Sequence, residues 1–338
     1  MSNLAKHLSA FLREHLPRER NASPHTCDSY AYTFKLLLCF AAKRLHVRPS
    51  DLEIDQIDAP LILAFLRHSE EERGNSARTR NVRLAAINSF FRFLEYRLPT
   101  NLEQCQQVHA IPMKKTTQAL VDYLNRDEVQ ALLAAPDLST ASGLRDRAML
   151  HLTYAAGLRV SELVALRLDQ FDSRMPPSIH VIGKGRRERV LPLWKETVVV
   201  LKEWLAVRQP NGDPELFLNA AGHAMTRAGF EYILAKHVAA AATKQPSFAK
   251  KRVSPHVLRH TCAMHTLQAT GDVRKVSLWL GHASIQSTEI YLRADPTEKI
   301  EAIAKTVPLP LKRGRFQVPD QLLAMLKEAG SHNIMPSK

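Results

Sequence analysis

The sequence predicts a mainly α-helical protein of two domains, with one small antiparallel β-sheet in the second. Three observations carry that expectation. Helical apolar spacing fills residues 1–100, the periodicity lapses between 101 and 122, and one later stretch, "SIHVIGKGRRERVLPL", sets two β-rich runs around a Gly-Lys-Gly turn. A length of 338 residues also suits two domains better than one.

The N-terminal elements come first. The opening "MSNLAKHLSAFLREHLPRER" is amphipathic and charged throughout, without the apolar centre of a secretory signal. No run approaches the roughly 20 apolar residues of a membrane span, so none is expected. "SPHTCDSYAYTFKLLLCFAAKRL" has Ser23 as a cap, Pro24 in the first turn and apolar positions at Tyr30, Phe34, Leu37 and Ala41. "DAPLILAFLRHSEEE" is a further helix. "NSARTRNVRLAAINSFFRFLEYRL" is a third, its apolar row read as Val82, Ala86, Phe90 and Leu94. That row leaves Arg78, Arg80 and Arg83 on or beside the exposed face, as candidates for phosphate contact. The segment "IPMKKTTQ" reads as a linker and adds two basic candidates, Lys114 and Lys115. "NRDEVQALLAA" restarts helix with Asn125 as cap and Asp127 and Glu128 where the helix dipole favours acids. The expected division is therefore 1–110, a linker 111–122, a second domain 123–310 and a tail 311–338. The tail holds a last amphipathic helix, "VPDQLLAMLKEAG".

Charge narrows the function. Lys and Arg number 47 against 33 Asp and Glu, a net +14. Before residue 120 the counts are 17 and 12, and after it 30 and 21, so both domains are basic. That distribution suits a polyanion gripped by both parts, nucleic acid first. The four cysteines, Cys27, Cys39, Cys105 and Cys262, have no metal-ribbon spacing and read as reduced, buried thiols.

The stretch "HVLRHTCAMH" concentrates the chemistry. "SPHVLRHTCAMHTLQATG" reads as one helix, capped by Ser254 and ended by Gly271. His256 and His260 share a face, as two zinc ligands on a helix do. Arg259 shares it too and repels a dication, and His265 points to the opposite side. A phosphate fits better: His256 and Arg259 project side by side, the guanidinium forking two oxygens while an imidazole moves a proton. Further candidates are Arg159 and Glu162 at the glycine-broken corner "YAAGLRVSEL", and Lys184 at the hairpin tip, followed by Arg186 and Arg187. "WLGHASIQSTEIYLRA" adds His282 after a glycine and Tyr291 nine residues on.

In this order, the segments "GLRVSEL", "IGKGRRERVLPL", "HVLRHTCA" and "LWLGHASIQSTEIYLR" resemble the tyrosine recombinases, the phage integrase family. The resemblance covers about residues 125–305 closely, and residues 1–110 look like that family's helical, SAM-like core-binding domain. It implies a mixed α/β catalytic domain behind a DNA-binding helical one. By similarity, Tyr291 is the nucleophile, forming a 3′-phosphotyrosyl bond and a free 5′-hydroxyl. Arg159 and Arg259 clamp the phosphate oxygens, Lys184 protonates the leaving oxygen, His256 assists proton movement at the tyrosine, and His282 donates a hydrogen bond. Glu162 and His260 act as supports, and Arg78, Arg80, Arg83, Lys114, Lys115, Arg186 and Arg187 as DNA contacts. The arginines take the place of metal ions, so no metal or other cofactor is expected.

The resemblance further implies a homo-tetramer on two double-stranded DNA sites, with the two domains closing as a clamp. It implies a cytoplasmic, nucleoid-associated enzyme without a membrane partner, and leaves room for an accessory recombinase or element-encoded helpers. The tail helix docks on its own domain or on a neighbour. An extra N-terminal arm-binding domain is not evident, so the chain looks like the two-domain integrases of mobile elements. Dimer resolution is the alternative role. A type IB topoisomerase-like enzyme and an inactive DNA-binding regulator are weaker ones, since no catalytic position has been lost.

Overall fold

The computed structural model describes residues 3–116, 120–183, 187–209, 213–282, 284–295 and Met325. It divides into two compact units, one ending at Ala119 and the other starting at Leu120.

The first unit is helical. α1 (Asn3–Ala10) runs on into a wider π-helical segment, Phe11–Glu19, and is succeeded by α2 (Pro24–Leu45), α3 (Ala59–Glu71), α4 (Ala77–Glu95) and α5 (Leu102–His109). Each long helix begins at a side-chain cap: Ser23 accepts from the Thr26 amide, Asp58 from Leu61 and Ser76 from Thr79. Phe11 sits at the centre of the core, with Phe34, Phe90 and Phe93 at ring separations of 6.1, 5.3 and 5.4 Å.

Two expectations for α4 are corrected. Val82 is 48% exposed, whereas Arg80 and Arg83 are buried at 4% and 6%. Leu84, Ile87, Phe91 and Leu94 line one buried row, and Arg80 lies one turn before it; Arg83, Ala86, Phe90 and Phe93 widen it. With Phe90, Phe91 and Phe93 so close together, the apolar stripe is too broad for one i,i+4 row to mark its centre. The Arg80 guanidinium donates to the Pro112 carbonyl (2.9 Å) and to Asn81 Oδ1 (3.2 Å). Among the described residues, Nε and Nη1 of Arg83 have no partner. Neither residue is therefore an exposed DNA contact. Arg78 and Lys115 are exposed, and Lys114 pairs with both carboxylate oxygens of Glu70 at 2.9 Å.

The second unit places helices around a three-stranded antiparallel sheet. α6 (Arg126–Leu133) starts at a reciprocal Asn125–Glu128 cap. α7 (Ala141–Ala156) and the short α8 (Val160–Val164) precede β1 (Phe171–Asp172), β2 (Ser178–Ile182) and β3 (Glu188–Pro192), in spatial order β1-β2-β3. Val181 faces Arg189 and Ile179 faces Leu191 across the hairpin. α9 (Lys195–Val207), α10 (Arg227–Ala242), α11 (Pro255–Thr270), α12 (Val273–Leu280) and α13 (Glu289–Ala294) complete it. α11 packs against α7, α12 and α13, so it carries the functional stretch through the middle of the unit. The tail 311–338 lies outside the described residues apart from Met325.

All four cysteines are free thiols. Cys105 and Cys262 are buried and Cys27 partly so, but Cys39 is exposed, which corrects the expectation of four buried thiols. Among the described residues, no helix is long and apolar enough to cross a membrane.

Candidate active site

Chain reversals bring the candidate residues together. α7 ends at Gly157, whose φ of +58° suits glycine. A Cβ there would also meet Leu280 Cδ2 at 2.6 Å, so this glycine lets α12 pack against the corner. Two residues on, Arg159 occupies the cap position of α8. Its amide donates to Glu162 Oε2 (3.0 Å) and its Nη1 to Oε1 (2.7 Å), which fixes the carboxylate by both backbone and side chain.

Glu162 is the electrostatic centre. It is 5% exposed and faces three guanidiniums. Besides Arg159, Arg189 of β3 donates to Oε2 at 2.8 Å and to Oε1 at 3.3 Å, and Arg259 Nη1 lies 3.8 Å from Oε2. One buried negative charge thus meets three positive ones, leaving the cluster cationic. Hydrogen bonds from Arg189, together with its charge and the contacts from Arg159, outweigh burial and hold the Glu162 carboxyl below its usual range.

Arg259 is 4% exposed, and its guanidinium donates to the carbonyls of Gly157 and, at 2.7 Å, Leu280. Burial, with Arg159 beside it, lowers its pKa to about 10, which still leaves it charged at neutral pH. The guanidinium therefore also ties the corner after α7 to the end of α12.

Tyr291, on α13, is 1% exposed. Its hydroxyl shares a 2.9 Å hydrogen bond with His260 Nδ1, one turn beyond His256 on α11. His256 is itself exposed, and its ring lies 6.5 Å from that of His260. The residue meeting the tyrosine is thus His260, which corrects its reading as a support behind His256. The His282 ring lies nearly parallel to the tyrosine at 6.4 Å, and its Nδ1 is 2.7 Å from Thr288 Oγ1. When that hydroxyl donates, the imidazole proton is left on Nε2.

Burial raises the Tyr291 phenol to about 12, against the opposing pull of Arg259 and Arg159. Burial also lowers His260 to about 4, reinforced by His256 and Arg259. His282 is likewise near 4, from burial and the positive field of Arg259, Arg159 and Arg189. At neutral pH the site therefore combines a neutral phenol, two neutral imidazoles and permanently charged guanidiniums. Such a set can receive an anion, donate hydrogen bonds to it and pass a proton from phenol to imidazole.

Of the sequence candidates, Arg159, Glu162, Arg259, His260, His282 and Tyr291 form one connected group, with His256 at its edge. Arg187 is exposed beyond β2. Lys184 and Arg186 lie outside the described residues. His265 is buried on the far side of α11, its Nδ1 2.9 Å from Tyr154 Oη. Arg189 was not anticipated. The alternation of β3 was the available signal, since Arg189 and Leu191 occupy one side of the strand and Glu188 and Val190 the other.

The phage integrase family model matches residues 122–298, and its N-terminal SAM-like domain model matches 8–97. The chain belongs to the phage integrase family and is a tyrosine-type site-specific recombinase. It is 46% identical over 325 residues to the integrase/recombinase y4rC of Sinorhizobium fredii, covering 96% of this chain and 98% of that one. It is 36% identical over 281 residues to the tyrosine recombinase XerD of Listeria monocytogenes, covering 81% and 89%. Among solved structures, the Tn1549 transposon integrase in complex with transposon right end DNA has the same fold. The TM-score is 0.63 at 17% identity, with 87% of this chain and 98% of that one covered.

Proposed function

We propose that the chain cuts and rejoins double-stranded DNA through a 3′-phosphotyrosyl bond at Tyr291, moving a mobile element. The observation that carries this reading is the Tyr291 hydroxyl held against His260 beside the Arg159–Glu162–Arg259 cluster. In the first transfer the phenol oxygen attacks phosphorus, the P–Oη bond forms and the P–O5′ bond breaks. His260, protonated on Nε2 beforehand, takes the phenol proton on Nδ1, and Lys184 protonates the departing 5′-oxygen. Arg159 and Arg259 balance the added charge on the non-bridging oxygens, and His282 donates through Nε2. Burial is the main reason His260 lies near 4, but a phosphodiester on Arg259 cancels the part that this guanidinium's charge adds, so the imidazole gains some basicity when substrate binds. The second transfer reverses the steps with a different 5′-hydroxyl, conserving the phosphoester.

Arg78, Lys114, Lys115, Arg186 and Arg187 contact the DNA backbone, in an enzyme working as a tetramer on two sites at the nucleoid in the cytoplasm. The mobile-element role rests on the nearly full-length similarity to an integrase/recombinase. Dimer resolution is the second reading, favoured by the similarity to XerD and XerC recombinases. Nicked suicide duplexes tiled across the DNA flanking the chain's own gene, compared with duplexes tiled across the chromosome's replication terminus, separate the two. Capture on the first set supports an element's ends, and capture on the second supports resolution. On the captured site the adduct should resist denaturant, survive EDTA and vanish in Tyr291→Phe. Persistence in that variant removes the nucleophile, and loss with EDTA brings back a metal.

A further inference from the structure

We infer that Arg189 is a positioning residue that occupies the Glu162 carboxylate and so keeps Arg259 available to a phosphate. The inference rests on the recombinase reading for its substrate, but its geometry does not.

The Arg189 side chain is 10% exposed and lies where three pieces of the site meet. Its two terminal nitrogens reach both oxygens of Glu162. Its chain passes so near Gly281 that a Cβ there would lie 3.1 Å from both Cδ and Nη1. A Cβ on Gly183 would lie 3.3 Å from Nη1 and 3.0 Å from Glu162 Oε1. Gly281 immediately precedes His282, and Gly183 immediately precedes Lys184. One guanidinium thus packs beside the backbone that delivers each of these residues, while holding the acid that holds Arg159.

Charge sets the consequence of losing it. A buried carboxylate needs compensation, and Glu162 now draws most of it from Arg189 and Arg159. Without Arg189, Oε2 loses its 2.8 Å partner and has Arg259 Nη1 within 3.8 Å. Turning to it, the carboxylate claims the guanidinium that an incoming phosphate needs, and the cluster drops from two net positive charges to one. Glutamine at 162 makes no such claim, so the cost of removing Arg189 depends on Glu162 being charged.

The test uses the full chain with two readouts: orthovanadate binding by titration calorimetry, and single-turnover cleavage of the captured nicked duplex. Thermal melts confirm that each variant is folded. Arg189→Gln should weaken vanadate binding and slow cleavage by about tenfold or more. Arg189→Lys, which keeps the charge but not the fork, should recover part of both. In a Glu162→Gln background, Arg189→Gln should cost less than about threefold. The inference is overturned if Arg189→Gln binds vanadate within about twofold of wild type, if its tenfold loss persists in that background, or if wild type binds no vanadate. If wild type binds vanadate and Arg189→Gln does not, yet no duplex is cleaved, the recombinase reading fails and this one stands.

Discussion

Each unit of the chain buries arginines, and the two sets differ in what surrounds them. On α4, Arg80 is 4% exposed and donates to the Pro112 carbonyl and Asn81 with Glu70 at 3.9 Å, whereas Arg83, 6% exposed, has no hydrogen-bond partner for Nε and Nη1 among the described residues. In the catalytic unit Arg259 is just as buried, but it meets two carbonyls and faces Glu162, which Arg159 and Arg189 also share. Burial of a guanidinium is thus incidental at Arg83 and organised at Arg259. The difference lies in the carboxylate and in the chain ends aimed at the ion. A buried cation without these costs stability, and one with them stores positive potential where a substrate can use it.

The largest effect should come from breaking the organised set. Arg259→Ala leaves two buried carbonyls and Glu162 short of a partner. It should lower stability by about 3 kcal/mol and slow single-turnover cleavage by about 10²–10³-fold. Denaturant melts and rapid-quench assays read the two, and cleavage within tenfold of wild type would remove Arg259 from the phosphate clamp.

Next is acidification, which should act on the catalytic unit. His151, His260 and His282 are each near 4 in the folded chain because burial disfavours their charge, whereas unfolded histidine titrates near 6.5. Between those values the unfolded state binds more protons, so stability falls as pH falls through 6.5 towards 4. Allowing for partial exposure, each histidine should contribute a loss of about 1–2 kcal/mol between pH 7 and 5. The three tryptophans, Trp194, Trp204 and Trp279, all lie in this unit, so urea melts monitored by their fluorescence isolate it. A midpoint unchanged between pH 7 and 5 would show these imidazoles to be solvated.

The smallest effect should come from the incidental set. Arg83→Met removes a buried charge and keeps the aliphatic volume, so it should leave stability unchanged or raise it by about 1 kcal/mol. Far-UV circular dichroism melts measure this. A loss of several kcal/mol would mean that Arg83 has a structural partner after all.

The same contrast explains what could be read from the sequence. Helix starts were legible because caps are local: Ser23, Asn125 and Ser254 each bond an amide three residues on. The hairpin was legible from two β-rich runs around a Gly-Lys-Gly turn, and the grouping of Arg159, Glu162, Arg259, His282 and Tyr291 was legible because their order along the chain carries a family resemblance. The orientation of α4 was not, because a stripe containing Phe90, Phe91 and Phe93 has no sharp edge from which to place Arg80 and Arg83. The roles of His260 and Arg189 depend on contacts spanning 31 residues to Tyr291 and 27 residues to Glu162, which no local pattern encodes.

The central claim is that Tyr291 becomes covalently joined to DNA. The most direct measurement is protease digestion of the denatured adduct and then mass spectrometry of the nucleotide-bearing peptide. The phosphate should be found on Tyr291, in the peptide containing "STEIYLR". A phosphate on any other residue, or a cut that leaves no peptide on the DNA, would contradict the mechanism.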